Sequence, residues 1–400
     1  MSFIPYGRQH ITDEDIAAVV EVLKSDYLTQ GPAIEAFEKA LCQETGAQFA
    51  VACSNGTTAL HLAAIAGGIG PGDRVVVPPI TFVASANCAR YNGAEILFAD
   101  IDPATLTMSP LVCRRILEKC AAEGRPVKAV ITVDLAGHPC DMQAFALLKK
   151  EFGFVWIQDA CHSIGASWED NLGIRWKVGE FPAVDMTVYS FHPVKHITTG
   201  EGGMISTHSE ALAANMRLHR SHGNMRDPAG FQNPAEAFAA DGSANPWYYE
   251  MQKLGFNYRI TDIQAALGAS QLRRLAENIV KRQAIVAAYQ SRLAGLPWLK
   301  FPQVADGVSH AYHLAVVQID FAVAGRTRAE VMNRLKADEI GTQVHYIPIP
   351  MMPYYAGTVD SADIPDSLAY YRQALSLPCF PQMGEAEIER VCSSLKKALA

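Results

Sequence analysis

An alternation that begins near residue 49 restricts this chain's fold more than any other feature. Short apolar runs of strand length occur at Phe49–Ala52, Arg74–Pro78, Glu95–Ala99, Ala129–Val133, Val155–Ile157, Met186–Tyr189 and Met204–Ser206. Stretches of helical pattern separate them, among them Ala59–Ala66, Ala84–Asn92, Val112–Ala122 and Met142–Glu151. Strands alternating with helices predict βαβ units around a largely parallel sheet. The runs are apolar on successive residues, which a strand requires when helices cover both faces of its sheet.

The flanks read differently. Thr12 followed by Asp-Glu-Asp is a helix start signal, and two helices are expected in the first 45 residues, with Asp26–Pro32 as the loop between them. Thr261–Leu293 is almost continuously helical. Beyond Pro297 come a strand at Ala315–Ile319, a helix at Thr327–Lys336, a strand around Gln343–Tyr346 and a terminal helix from Glu385. At 400 residues the chain exceeds the roughly 150 of an average domain. We expect a large α/β body over residues 1–285 and a small α+β C-terminal domain over 286–400. Residues 223–251, rich in Asn, Asp, Pro, Gly and aromatics, read as an insertion loop.

Composition removes several classes. A net charge of −7 leaves no electrostatic footprint for nucleic acid. No apolar stretch approaches the roughly 20 residues of a membrane span. The N-terminus has no charged region ahead of an apolar one, so no signal peptide is expected. The nine cysteines are scattered without a C-x-x-C pair and read as reduced thiols of a cytoplasmic protein.

In a parallel α/β sheet, ligands bind beyond the carboxyl ends of the strands. Three such ends carry polar residues. Ser54-Asn55-Gly56-Thr57-Thr58 joins a strand to a helix, where free N–H groups and hydroxyls suit a phosphate or simply cap the helix. Gln158-Asp159-Ala160-Cys161-His162-Ser163 puts a carboxylate at the end of a buried strand, as a salt-bridge partner or as the acceptor for a cationic ligand. Cys161 is also a candidate thiol nucleophile. Ser190–Gly203 holds Lys195 among apolar, small and hydroxylic residues, where desolvation frees an amine for Schiff-base chemistry. His192 with His196, and His219 with His222, lack the companions of a zinc site, so no metal is expected. A phosphate cradle, a carboxylate and a lysine together suit pyridoxal 5′-phosphate, PLP.

At this point the sequence resembles the DegT/StrS-type sugar-nucleotide aminotransferases. The resemblance rests on Leu28-Thr29-Gln30-Gly31, Ser54–Thr57, Pro79-Ile80-Thr81-Phe82, Gln158–His162, Ser190–Gly203 and Gly255–Asp262, in that order along the chain. Within the family the chain is similar to the pseudaminic acid branch, through Ser190–Thr199, Arg220-Ser221-His222-Gly223 and Gln343–Ile349. The resemblance implies fold-type I, aspartate aminotransferase-like architecture and PLP, with pyridoxamine phosphate as its amino form.

Residue by residue, Lys195 matches the lysine that carries the cofactor, and Asp159 the acid that keeps the ring nitrogen protonated. Phe82 matches the aromatic that stacks on the ring, and His162 a position near its phenolic oxygen. Gly56, Thr57 and Ser190 match the phosphate cradle, with Thr58 beside them. Asn257 matches a residue that reaches the phosphate from a neighbouring subunit, which implies a homodimer with shared sites. Tyr6, the run Asp26, Tyr27, Leu28, Thr29, and the run Gln343, Val344, His345, Tyr346 match positions that hold a sugar nucleotide. The implied reaction moves an amino group from L-glutamate to C4 of a UDP-linked 4-keto-6-deoxy N-acetyl hexosamine. A GDP- or dTDP-linked 4-keto sugar is the alternative. The related sugar dehydratases carry histidine in place of the lysine, and Lys195 argues against that chemistry.

Overall fold

The computed structural model describes residues 2–400. Seven strands form the central sheet: β1 (Phe49–Cys53), β2 (Arg74–Val77), β3 (Glu95–Phe98), β4 (Val127–Val133), β5 (Val155–Asp159), β6 (Met186–Ser190) and β7 (Gly203–Thr207). Their spatial order is β1-β7-β6-β5-β4-β2-β3. β3, β2, β4, β5 and β6 are mutually parallel. β7 runs antiparallel between β1 and β6, pairing Gly203 with both Cys53 and Ser190. The sheet is therefore mainly parallel, as the alternation predicts, with one reversed strand. Its interior is closely packed: Val51, Val75, Val77, Ala129, Ile131, Ile157 and Val188 have no exposed surface. Two sets of buried residues cover its faces, one built on the helix Gly56–Ala66 and the other on Phe145 and Trp156.

The helices begin where local chemistry supplies caps. Ser109, Asp141, Ser209, Thr261 and Thr327 each accept an N–H from the first turn that follows them. The expected continuous helix near 261–293 is two helices, Asp262–Leu272 and Leu275–Arg292. Along the second, Leu275 and Ile279 pack with Ile34, Phe37 and Leu41, whereas Ile285, Val286 and Tyr289 pack with Val317, Val391 and Leu395. A three-stranded antiparallel sheet, Leu299–Lys300, Ala315–Ile319 and Ala374–Leu377, forms the core of that second cluster. Ile4 joins the same cluster and bridges to Ile340.

One expectation needs correction. Gln343–Tyr346 is not a strand; only Gln343 pairs, through an isolated bridge to Ser376. Pro348 follows closely, and Tyr346 and His345 turn inward instead of alternating across a sheet. The insertion at 223–251 is mostly loop with a few short elements. A two-residue ribbon, Asn224–Met225 against Glu250–Met251, pinches off its base, and it carries a short helix at Pro234–Ala237. Its other residues are mostly exposed, Trp247 among them.

The reversed strand fixes one glycine. A Cβ on Gly203 would sit 2.3 Å from the Asn55 carbonyl oxygen and 2.8 Å from the Gly56 nitrogen, both backbone atoms. Gly203→Ala must push β7 away from the start of the following helix. We expect it to lower stability by about 1–3 kcal/mol in urea unfolding. Unchanged stability would mean that the two segments do not depend on this approach.

Candidate active site

The carboxyl ends of β1, β5 and β6 meet at one place. After β1, Asn55 caps the helix Gly56–Ala66: its Oδ1 accepts the Thr58 N–H at 2.8 Å. The Thr58 hydroxyl accepts the Asn55 N–H at 3.1 Å and donates to the Asn55 carbonyl at 2.8 Å. Both polar groups of Thr58 are thus engaged within the cap. The N–H groups of Gly56 and Thr57 stay free, because first-turn donors have no intrahelical acceptor. Ser190, at the end of β6, faces them; a Cβ on Gly56 would lie 2.9 Å from the Ser190 Cβ and 3.2 Å from its Oγ. Two N–H groups at a helix start and a hydroxyl opposite are the donor set of a phosphate cradle.

Asp159 ends β5 and is buried. Its Oδ2 accepts the Ser85 hydroxyl at 2.7 Å, and Ser85 is in turn 2.7 Å from Thr81. Its Oδ1 accepts the Cys161 N–H at 3.2 Å. These bonds orient the carboxylate, but among the described residues no ion pair neutralises it, so it is available to a cationic ligand. Lys195 lies past β6 and is half-buried. Burial lowers its pKa, and the Asp159 carboxylate opposes the shift. A lysine of this kind spends more of its time as a free amine, the form that attacks a carbonyl. The donor set, the buried carboxylate and the amine together fit PLP.

A wall of rings closes the other side. His162 is buried, and its Nδ1 accepts the Ala136 N–H at 3.3 Å. Burial, then the Lys195 charge, push its pKa well down, so it is neutral. With Nδ1 accepting, its one proton sits on Nε2 and donates to the Tyr346 hydroxyl at 3.1 Å. His345 binds Ser376 at 2.8 Å and its ring lies 5.3 Å from Tyr6. Phe82 is 56% exposed, 6.3 Å from Tyr346 ring to ring, so its face is open to a flat ligand.

One chain does not bring every expected residue together. Tyr27 and Leu28 are exposed, and the hydrogen bonds of their segment lead to Asp262: Gly31 N–H to its Oδ2 at 2.8 Å, and its own N–H to the Leu28 carbonyl at 3.0 Å. Thr29 bridges to Thr261, and Asn257 is exposed and bridges to Ser221. No described hydrogen bond joins Asp26, Tyr27, Leu28, Thr29 or Asn257 to Lys195. Gln343 and Val344 stand at the edge of the ring wall, beside Ser376. Burial pushes the Cys161 thiol far above its usual value, which removes it as a nucleophile. His196 binds the Ala311 carbonyl at 3.0 Å while His192 is exposed, so the two do not converge.

Sequence reasoning missed three residues. Asp134 follows β4 as Asp159 ends β5, a parallel that could have flagged it. It accepts Ser163 at 2.6 Å, Gln158 at 2.8 Å and the Cys140 N–H at 3.1 Å, and so braces the segment that carries Asp159. Burial pushes its carboxyl up to about 7. Ser85 sits on a helix with no local signal. His313 contacts Lys195 from a loop more than a hundred residues away, which spacing along the chain could not show.

Residues 9–396 match the model of the DegT/DnrJ/EryC1/StrS aminotransferase family. The chain belongs to that family. It is 37% identical to the spore coat polysaccharide biosynthesis protein SpsC of Bacillus subtilis, over 98% of this chain and 96% of the relative. Helicobacter pylori PseC, described as an aminotransferase involved in the biosynthesis of pseudoaminic acid, superposes with a TM-score of 0.86 at 26% identity, covering 100% of this chain and 99% of that one. The PLP form of the putative sugar aminotransferase Spr1654 from Streptococcus pneumoniae gives 0.84 at 25% identity, over 99% and 98% of the two chains. As a DegT/StrS-type protein this chain is a PLP-dependent sugar aminotransferase with the aspartate aminotransferase-like α/β fold. No described helix is long and apolar enough to cross a membrane.

The site's histidines predict a pH response. Burial holds His162, His310 and His313 well below 6.5, and His196 and His345 down to about 3. Unfolded, each takes a proton below 6.5, so the unfolded state binds more protons and stability falls with acidification. Asp134 acts oppositely: its raised value withdraws stability as pH climbs from 3.8 towards about 7. Five histidines outweigh one carboxyl. The melting temperature should drop as pH falls below 6.5, and His310→Gln should reduce the proton uptake on unfolding by about one. A melting temperature flat across that range would contradict the neutral cluster.

Proposed function

We propose that the protein aminates C4 of a UDP-linked 4-keto-6-deoxy N-acetyl hexosamine, UDP-2-acetamido-2,6-dideoxy-β-L-arabino-hex-4-ulose, with L-glutamate as donor. The product is UDP-4-amino-4,6-dideoxy-N-acetyl-β-L-altrosamine, a precursor for pseudaminic acid. The observation that carries the reading is the wall of Tyr6, His345 and Tyr346 across from Lys195, built on Gln343–Ile349, the segment that resembles the pseudaminic acid branch. PseC, whose name ties it to that sugar, supports it.

When bound, PLP supplies an electron sink that lets an amino group leave one carbon and join another. Gly56, Thr57 and Ser190 would hold its phosphate, with Thr58 fixing their geometry through the cap. Phe82 would cover the ring, and Asp159 would keep the ring nitrogen protonated. Lys195, freed as an amine, removes the proton from the donor's α-carbon and later returns one to the sugar's C4. His162 donates to Tyr346 and so holds that hydroxyl at the substrate face. Asp26, Tyr27, Leu28, Thr29 and Asn257 stay apart from Lys195 within one chain, which suits a homodimer that completes each site with the partner's loops. In this reading residues 1–285 carry the cofactor, residues 286–400 close over it, and the protein works in the cytoplasm.

Three measurements test these roles. Lys195→Ala should abolish transamination, since it removes both the proton carrier and the covalent link; substantial turnover would refute the assignment. Asp159→Asn should keep some bound cofactor but lose most activity, and normal rates would exclude the ring-nitrogen role. Purified protein with glutamate and UDP-, dTDP- and GDP-linked 4-keto sugars should aminate the UDP sugar, read by mass spectrometry. Preference for another nucleotide would replace the substrate while leaving the chemistry.

The insertion at 223–251 we read as a lid over a neighbouring subunit's sugar nucleotide. Trp247 and Tyr249 are 74% and 54% exposed, next to the ribbon at its base. The ribbon brings its ends together, so residues 226–249 can be replaced by a short turn. The shortened protein should show a raised KM for the sugar nucleotide with an unchanged KM for glutamate. Two unchanged values would sink the lid.

A further inference from the structure

The Lys195 amine has one described side-chain hydrogen-bond partner, and it lies outside every motif quoted above. Nζ lies 3.4 Å from Nε2 of His313. His313 is 4% exposed and sits at the end of the loop that enters the strand Ala315–Ile319. The surroundings fix its position. Buried Arg282 donates to the carbonyls of Tyr312 at 3.3 Å, His313 at 3.1 Å and Cys379 at 2.7 Å. The backbone of Gly137 leaves no room behind the loop, since a Cβ there would lie 2.7 Å from the Tyr312 nitrogen. The His162 and His196 rings lie 4.4 and 5.6 Å away, centroid to centroid.

The proton on His313 can be placed. Burial by itself holds the ring neutral, so it carries one N–H. Its Nδ1 is buried with no partner. An orphaned buried N–H is rarer than an orphaned acceptor. Nδ1 is therefore bare and Nε2 carries the proton, aimed at Nζ. An ammonium has no lone pair to receive it; a neutral amine does. The groups that act on this pair are Arg282, His162, His196, His345, Asp159 and Cys161.

We propose that His313 is a catalytic partner of Lys195: its Nε2–H donates to the lone pair of the free amine, holding it neutral and aimed at the substrate carbon. The proposal rests on Lys195 being the lysine that carries the cofactor.

The test compares wild type, His313→Ala and His313→Gln, loaded with PLP. Gln keeps an N–H donor and Ala does not. Borohydride reduction and peptide mapping first locate the cofactor, and should place it on Lys195 in all three. Glutamate-driven formation of pyridoxamine phosphate should then slow about 100-fold in Ala, with at least part of that loss restored in Gln. In the cofactor-free proteins, acetylation of Lys195 against pH, read by mass spectrometry, should move upward by about one pH unit in Ala. If Ala does not fold by its melting curve, His313→Met, similar in volume and without a donor, takes its place. A cofactor found on another lysine overturns the reading of Lys195 itself. A cofactor on Lys195 with wild-type rates and an unmoved acetylation profile overturns the role of His313 alone. So does a Gln variant as slow as Ala.

Discussion

The site depends on one close approach: Gly203, opening the reversed strand, lies against the backbone of Asn55 and Gly56. Because β7 runs back between β1 and β6, the cap after β1 and the serine that ends β6 face the same small space. A wholly parallel sheet with a helix between those strands would hold them apart. The antiparallel insertion thus turns two ordinary strand ends into one anion cradle. It also sets Lys195, in the connection between β6 and β7, beside Asp159 at the end of β5.

Around that cradle the site is assembled from groups that are buried yet able to act. Asp159 has hydrogen-bond donors but no counter-ion. Lys195 sits in a setting that weakens its charge. His162, His313 and His345 are held neutral, so the wall around the amine adds polarity without adding charge. Asp134 lies one layer deeper and steadies Gln158 and Ser163 on either side of the Asp159 segment. Polar groups kept dry in this way are costly to leave unsatisfied. A ligand that satisfies several at once would be bound and oriented by the same contacts.

Much of this was legible in the sequence because it follows from local rules. Strand runs such as Val75–Val77 and Ala129–Val133 are apolar on both faces, and only a covered parallel sheet accommodates that. Gly56, Asp159, Ser190 and Lys195 stand at or just beyond strand ends, where such sheets bind ligands. The reversal of β7 was not legible, since Met204–Ser206 reads as a strand in either direction. The strand expected around Gln343–Tyr346 does not form, because the segment commits His345 to Ser376 and Tyr346 to His162. His313 could not be found, because its meaning comes from a contact with Lys195 across a long stretch of chain.

A crystal structure of the protein loaded with PLP tests the central claim most directly. The account predicts density continuous from Lys195 Nζ to the cofactor, the phosphate against Gly56, Thr57 and Ser190, and the Asp159 carboxylate at the ring nitrogen. A cofactor joined to a different lysine, or a phosphate seated away from the start of the helix Gly56–Ala66, would contradict it.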